Sequence, residues 1–305
     1  MNMRADIARR QSAPAPAPKG ESSRVARAAG MRWRVQEFGE GPCILLLHGT
    51  GASTHSWRQV APLLAARFNV IAIDLPGHGL SEMPSRDLMS IYGMARAIKS
   101  LLRTLDKSPE MVVAHSAGAA IAVRMSLDRL IDPKVIVGLN AALLPLTGYA
   151  GQLFAPLARM LTRIPFVPRL FARRAFGRAT SETMIANTGS RLDGAGIEHY
   201  HRLAQRPGHV AAALAMMAEW DLPRLRRDLP RLNTPMVLIV GSGDRTIPPE
   251  DARRLQTILP RTKIIRLHSL GHLAHEEAPE LVAQTIEGIA TDFNIIRHAR
   301  GGGDA

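Results

Sequence analysis

Residues 111–125 read MVVAHSAGAAIAVRM. The first four, Met111, Val112, Val113 and Ala114, form the kind of short apolar run that fills a strand buried on both faces of a parallel sheet. Ser116 then interrupts the apolar character. Ala117, Gly118, Ala119 and Ala120 lead into a helical pattern with Ile121 and Met125 in its apolar set. A strand, one polar residue at a sharp turn and a helix would hold a serine hydroxyl outside the sheet. The next backbone N–H, that of Ala117, would lie at a helix N-terminus, where amides lack partners and the dipole favours negative charge. The pattern Ala114-His115-Ser116-Ala117-Gly118 is a variant of Gly-x-Ser-x-Gly with a methyl group at the first position. A serine that merely caps the helix fits these five residues as well, so the choice falls to the rest of the chain.

Working outward, residues 25–37 alternate weakly around Met31, Trp33 and Val35, with a turn at Gly30, and read as an edge hairpin. Residues 43–47 are an apolar strand that runs into His48-Gly49-Thr50-Gly51. Residues 69–73 are another, which runs into Asp74-Leu75-Pro76-Gly77-His78-Gly79-Leu80-Ser81. Between them residues 56–67 have helical spacing, as do residues 92–105. Residues 135–139, 236–240 and 264–267 are further short apolar strands. Strands alternating with helices imply an α/β fold with a mostly parallel, doubly wound sheet. Residues 141–233 break the rhythm with helical runs at 151–163, 168–177 and 210–220, Pro-punctuated and without a strand. The expected organisation is a core of residues 24–140 and 234–296, a helical lid inserted at 141–233, a tail at 297–305 and a lead-in at 1–23. The lid would lie over the carboxyl ends of the strands, where α/β sheets bind ligands.

The 305 residues suffice for one large domain, and 46% hydrophobic with 21% charged residues is ordinary for a globular chain. The single cysteine, Cys43, excludes an internal disulfide and a multi-cysteine zinc site and reads as a buried small hydrophobe. Net charge is +13, concentrated before residue 35 and in the run Arg159, Arg163, Arg169, Arg173, Arg174, Arg178. Nucleic acid, anionic lipid or an acidic substrate could use that charge, and so could a merely solvated basic surface. The Ala-Pro lead-in lacks the apolar middle of a signal peptide, and no run reaches the about 18 apolar residues of a membrane span. A cytoplasmic protein is expected. No metal site is expected, since His48, His55, His78 and His115 lack paired ligand spacing.

A serine nucleophile needs a base, and the base an orienting acid. Asp244 stands in VGSGDRTIPP after one strand, and His272 in SLGHLAHEEAP after the last. The order Ser116, Asp244, His272 lets three side chains converge on one edge of a parallel sheet. His275 competes with His272 as the base. Asp244 could instead cap a helix, although Glu250 and Asp251 are better placed for that. After residues 135–139, the other position for an acid, stands Asn140. The oxyanion donors expected are the backbone N–H groups of Ala117 and Thr50. A phosphate cradle at GTGAS lacks P-loop spacing and its lysine. Apolar residues of the inserted segment, among them Leu153, Phe154, Met160, Phe166, Phe171, Met216 and Trp220, offer a methionine-rich lining, although ordinary helix packing explains most such residues as well. His115, Trp57, Met216 and Trp220 are the expected substrate contacts.

Together HGTGASTHSW, DLPGHGLS, AHSAG, GSGDRTIPP and LGHLAHEEAP resemble the α/β hydrolase superfamily over residues 30–295. HGTGASTHSWR, HSAGAAIAVRM, GLNAALLPLTGYAG and HVAAALAMMAEWDL more narrowly resemble the magnesium-chelatase accessory hydrolases of bacteriochlorophyll biosynthesis. That resemblance implies a role near magnesium insertion into protoporphyrin IX, with chelatase subunits as partners and no cofactor, and it assigns no reaction. Three readings follow: a serine esterase acting on a small-molecule substrate, a non-catalytic tetrapyrrole binder, and a charge-driven surface module. The nucleic-acid form of the last is not expected. Flat apolar surface beside arginines would suit a porphyrin with carboxylate side chains, and the same composition would suit the surface of an anionic photosynthetic membrane.

Overall fold

The computed structural model describes residues 22–145 and 177–297. One sheet of eight strands organises them: β1 Ser22–Ala28, β2 Met31–Phe38, β3 Cys43–Leu47, β4 Asn69–Ile73, β5 Met111–His115, β6 Val135–Leu139, β7 Met236–Gly241 and β8 Lys263–Leu267. Their spatial order is β1-β2-β4-β3-β5-β6-β7-β8. The β1–β2 and β2–β4 pairings are antiparallel and the remaining five are parallel. The edge hairpin, the parallel core and the strand positions expected from sequence are all present, with ends that differ by at most a few residues.

The short apolar runs have this form because both faces are covered. On one face Leu45, Leu47, Val112, Ala114, Ile136 and Leu238 pack with α2 (Ile91–Thr104) and α3 (Ala117–Leu127). On the other, Ile44, Leu46, Val113, Val137 and Ile239 pack with α1 (Val60–Leu64) and the C-terminal helix Pro279–Asp292. Alternate residues of one strand thus serve opposite layers. Each large side chain so enclosed contributes about 1.5–3 kcal/mol.

Two helices differ from expectation. Residues 56–67 divide into a 3-10 turn, Thr54–Trp57, and the short α1. Pro62 explains the break, because a helix continuing back through Arg58 would drive the proline ring into the Arg58 carbonyl. In the insertion, Pro207 takes the first helical position, so the helix expected at 210–220 instead spans Pro207–Ala218. Between β6 and β7 the described residues form four α-helices, a 3-10 turn at Leu229–Arg231 and no strand: α4 Arg178–Asn187, α5 Gly194–Ala204, α6 Pro207–Ala218 and α7 Leu222–Asp228. The lead-in up to residue 21, the tail beyond residue 297, the helical run expected at 151–163 and all but the last residue of the one expected at 168–177 lie outside the described residues, and residues 22 and 23 belong to β1 rather than to the lead-in. So do Leu153, Phe154, Met160, Phe166 and Phe171, and all of the arginine run except Arg178. Among the described residues no helix is long and apolar enough to cross a membrane. Cys43 is half-buried rather than enclosed, and burial still raises its thiol to about 11, so it stays protonated.

Candidate active site

Ser116 joins β5 to α3 with φ 50° and ψ −119°. A non-glycine residue held there stores about 1–3 kcal/mol of strain, which persists only where the surroundings over-determine it. Here they do. The Ser116 N–H donates to Leu139 O (3.0 Å), and its carbonyl accepts from Ala119 N (3.1 Å) and Ala142 N (3.1 Å). Gly118 lets α3 come close to β3, for a Cβ there would meet His48 O at 2.7 Å and Leu47 O at 2.8 Å. The hydroxyl makes no capping bond to the helix it precedes, so the capping alternative fails. Among the described residues, neither the Ala117 N–H nor the Thr50 N–H has a backbone acceptor.

The acid and base are paired. His272 Nδ1–H donates to Asp244 Oδ2 at 2.8 Å, with both side chains nearly enclosed. This leaves Nε2 unprotonated in the neutral ring and free to accept a proton. Asp244 Oδ1 accepts from Thr246 N (2.7 Å) and Ile247 N (2.9 Å), so the carboxylate is fixed at both oxygens and caps no helix. The competing His275 is fully buried between Trp57 and His115, with ring centroids 4.6 Å from each. Neither of its ring nitrogens has a partner, and burial lowers its pKa to about 3. Of the two histidines, His272 alone faces a carboxylate.

The loop that carries Thr50 is held by His48. Leu75 N–H donates to His48 Nε2 at 2.9 Å, and Nδ1–H donates to Gly49 O at 2.7 Å, a neutral tautomer that burial favours. Asp74, in the adjoining loop, accepts from Thr54 N and Leu80 N, both at 2.7 Å.

Three expected substrate contacts are corrected. Trp57 is 0% exposed and packs in the layer beneath α1, with its ring against His275, so it supports the site from behind. His115 is also buried, and its Nε2–H donates to the His272 carbonyl at 2.9 Å, a contact that positions the base loop. Met216 is 0% exposed as well, and its Sδ accepts from Thr50 Oγ1 at 3.4 Å, so it packs behind the loop that carries Thr50. Trp220 is half-buried against the layer that contains α2 and α3.

Several residues essential to this geometry escape motif reading. Asn140 at the end of β6 donates through Nδ2 to Gly271 O (2.9 Å) and His272 O (2.8 Å), while its Oδ1 accepts from Gly241 N (2.8 Å). It stands where an acid was sought and instead ties the base loop to β7. The Thr188 carbonyl, just past α4, accepts from both Arg245 N (3.1 Å) and His272 N (3.3 Å), and Ser190 Oγ accepts from Leu273 N (2.8 Å). The insertion is therefore wedged between acid and base loops. Gly189 permits this, since a Cβ there would lie 2.0 Å from Gly243 O, at φ 84°. Among the described residues no group of three or more His, Cys, Asp or Glu side chains is arranged to hold a metal ion.

The sequence model of the alpha/beta hydrolase family matches residues 44–285. A relative named magnesium-chelatase 30 kDa subunit, from Rhodobacter capsulatus, is 40% identical over 92% of this chain and 97% of its own length. A pimeloyl-[acyl-carrier protein] methyl ester esterase from Aeromonas hydrophila is 27% identical over 83% of this chain and 97% of its own. Among solved structures the epoxide hydrolase CorEH superposes with a TM-score of 0.74 at 20% identity, covering 90% of this chain and 99% of that one, and so shares the fold.

Proposed function

This chain belongs to the α/β hydrolase family, and we propose that within it the protein is a serine hydrolase of ester-type bonds that serves bacteriochlorophyll synthesis beside magnesium chelatase. The observation that supports the chemistry best is the 2.8 Å pair between Asp244 and His272, set at the same strand ends as a serine held at φ 50°. Ser116 Oγ attacks the carbonyl carbon while His272 Nε2 takes the hydroxyl proton. Asp244 holds the ring and stabilises the imidazolium. The tetrahedral oxyanion sits between the amides of Ala117 and Thr50, each worth about 2.7–4 kcal/mol of barrier. Collapse expels the alcohol, which receives the proton from His272, and leaves an acyl-serine. Water then attacks that acyl group, giving its proton to His272, and the acid departs as Ser116 recovers its own.

The link to the chelatase rests on the Rhodobacter capsulatus relative, which spans nearly the whole chain, and on the motif resemblance in the inserted segment. That name describes a subunit rather than a hydrolase, which favours a second reading in which the site holds a tetrapyrrole for the chelatase. Most of the basic residues on which peripheral contact with an anionic membrane would rest lie outside the described residues.

Turnover of p-nitrophenyl acetate and butyrate by the full chain, with an absorbance titration against protoporphyrin IX, separates the two. The hydrolase reading expects release of p-nitrophenol well above that of heat-denatured protein. A saturating Soret shift without turnover selects the carrier, and a flat titration without turnover removes both.

A further inference from the structure

Helix α6 points one face at the loops that flank the nucleophile. His209, Ala212 and Met216 are spaced i, i+3 and i+7, so they share one side of the helix, and all three are buried. His209 Nδ1 accepts from the Gly79 N–H at 3.1 Å, and its Nε2–H donates to the Gly51 carbonyl at 3.0 Å. Ala212 lies where a Cβ on Gly77 would meet it at 2.5 Å. Met216 Sδ accepts from Thr50 Oγ1 at 3.4 Å. Gly79 is gripped from both sides, because Arg206 Nη1 donates to its carbonyl at 3.0 Å. Thus one helix of the insertion holds the two residues, Thr50 and Gly51, whose backbone course sets the direction of an oxyanion donor.

We propose that His209 is a positioning residue for the oxyanion hole: a neutral imidazole that joins the His48–Gly51 loop to the Gly77–Gly79 loop and keeps the Thr50 N–H aimed at the carbonyl carbon's oxygen. The inference rests on the hydrolase reading above. The bridge uses one ring nitrogen as acceptor and one as donor, which only the neutral ring provides, because a protonated ring would set an N–H against the Gly79 N–H. The groups that face it are His48 and His78 from the core loops, Asp74 just after β4, Arg206 at the N-cap of its own helix and His199 on α5. Asp74 is the one charged group among them that favours the charged ring, as the Gly51 carbonyl also does. Burial outweighs both and holds the pKa to about 4, so at neutral pH the bridge is formed.

The test compares His209→Leu and His209→Gln in the full chain. Glutamine carries one acceptor and one donor at the end of its side chain and can remake the bridge, whereas leucine fills the volume with neither. For His209→Leu, kcat with p-nitrophenyl butyrate is expected to fall about 10- to 100-fold with KM within twofold, since losing a whole donor costs about 10²–10³. His209→Gln should recover to within about threefold of wild type. Amide hydrogen exchange at residues 77–80 and 49–52 should quicken in His209→Leu and return in His209→Gln. A leucine variant with wild-type kcat, or a glutamine variant no better than leucine, overturns the proposal. Absence of wild-type turnover would count against the hydrolase reading alone. The exchange comparison then decides this one, and unchanged exchange at residues 77–80 in the leucine variant sinks it.

Discussion

Asp244→Asn is expected to lower kcat for ester hydrolysis by about 10⁴-fold while leaving the protein folded. The local hydrogen bonds determine why the loss should be so large. Asp244 Oδ1 accepts from two backbone amides, those of Thr246 and Ile247, and Oδ2 accepts from His272 Nδ1–H. An asparagine must keep its oxygen toward the two amides, or else set N–H against N–H. Its NH₂ group then faces His272 Nδ1, which must become the acceptor, and the ring proton moves to Nε2. The nitrogen that should take the serine proton already carries one. Steady-state kinetics with p-nitrophenyl esters, together with thermal melts, provide the check. A loss below tenfold in a folded variant would mean that Asp244 does not orient the base.

The second large effect is on stability. Burial lowers the pKa of seven histidines among the described residues: His48, His55, His78, His115, His199, His209 and His275. His199 and His209 fall to about 4, His55 and His275 to about 3. In the unfolded chain each titrates near its ordinary value of about 6.5. Between that value and about 4 the unfolded chain therefore holds more protons than the folded one. Stability is fully present above about pH 6.5 and is lost as pH falls through that window. For a group lowered to about 4, the loss at pH 5 is about 2 kcal/mol relative to pH 8. The half-exposed His55 and His199 give less. Glu276 acts in the opposite sense, since burial raises it to about 7 although Arg58 and Tyr200 both donate to it. Its folded form keeps a proton that the unfolded chain gives up near its ordinary value, so it costs stability as pH rises toward 7. One carboxyl does not offset the buried histidines. Melts at constant ionic strength are expected to show a Tm at pH 5 at least about 10 °C below that at pH 7.5. A Tm independent of pH across that range would contradict the assignment of these rings as buried and neutral.

The sheet was legible because most of its parallel strands are short runs rich in Val, Ile and Leu, and β3, β4 and β6 begin and end where those runs do. Ser116, Asp244 and His272 stand out as a candidate trio because each follows such a run directly and their order is restrictive. What escaped reading is what depends on distant contacts. Asn140 drew notice only as a missing acid, and nothing in its neighbourhood points to Gly271 and His272 more than 130 residues away. Thr188, Ser190 and His209 belong to the insertion, whose helical spacing reports which residues are apolar and not which loop they will meet. Trp57 misled because its motif flanks the site, while its ring turns away to His275. Helix ends followed proline chemistry, at Pro62 and Pro207, more closely than hydrophobic spacing.

The central claim is that Ser116 is a nucleophile activated by His272. Incubating the folded full chain with a fluorophosphonate and mapping the adduct by mass spectrometry tests it most directly, with Ser116→Ala as the control. One phosphonyl group is expected on the Ser116 peptide of the wild type and none on the variant. Wild-type protein that stays unlabelled while folded, or is labelled at another serine, would contradict it.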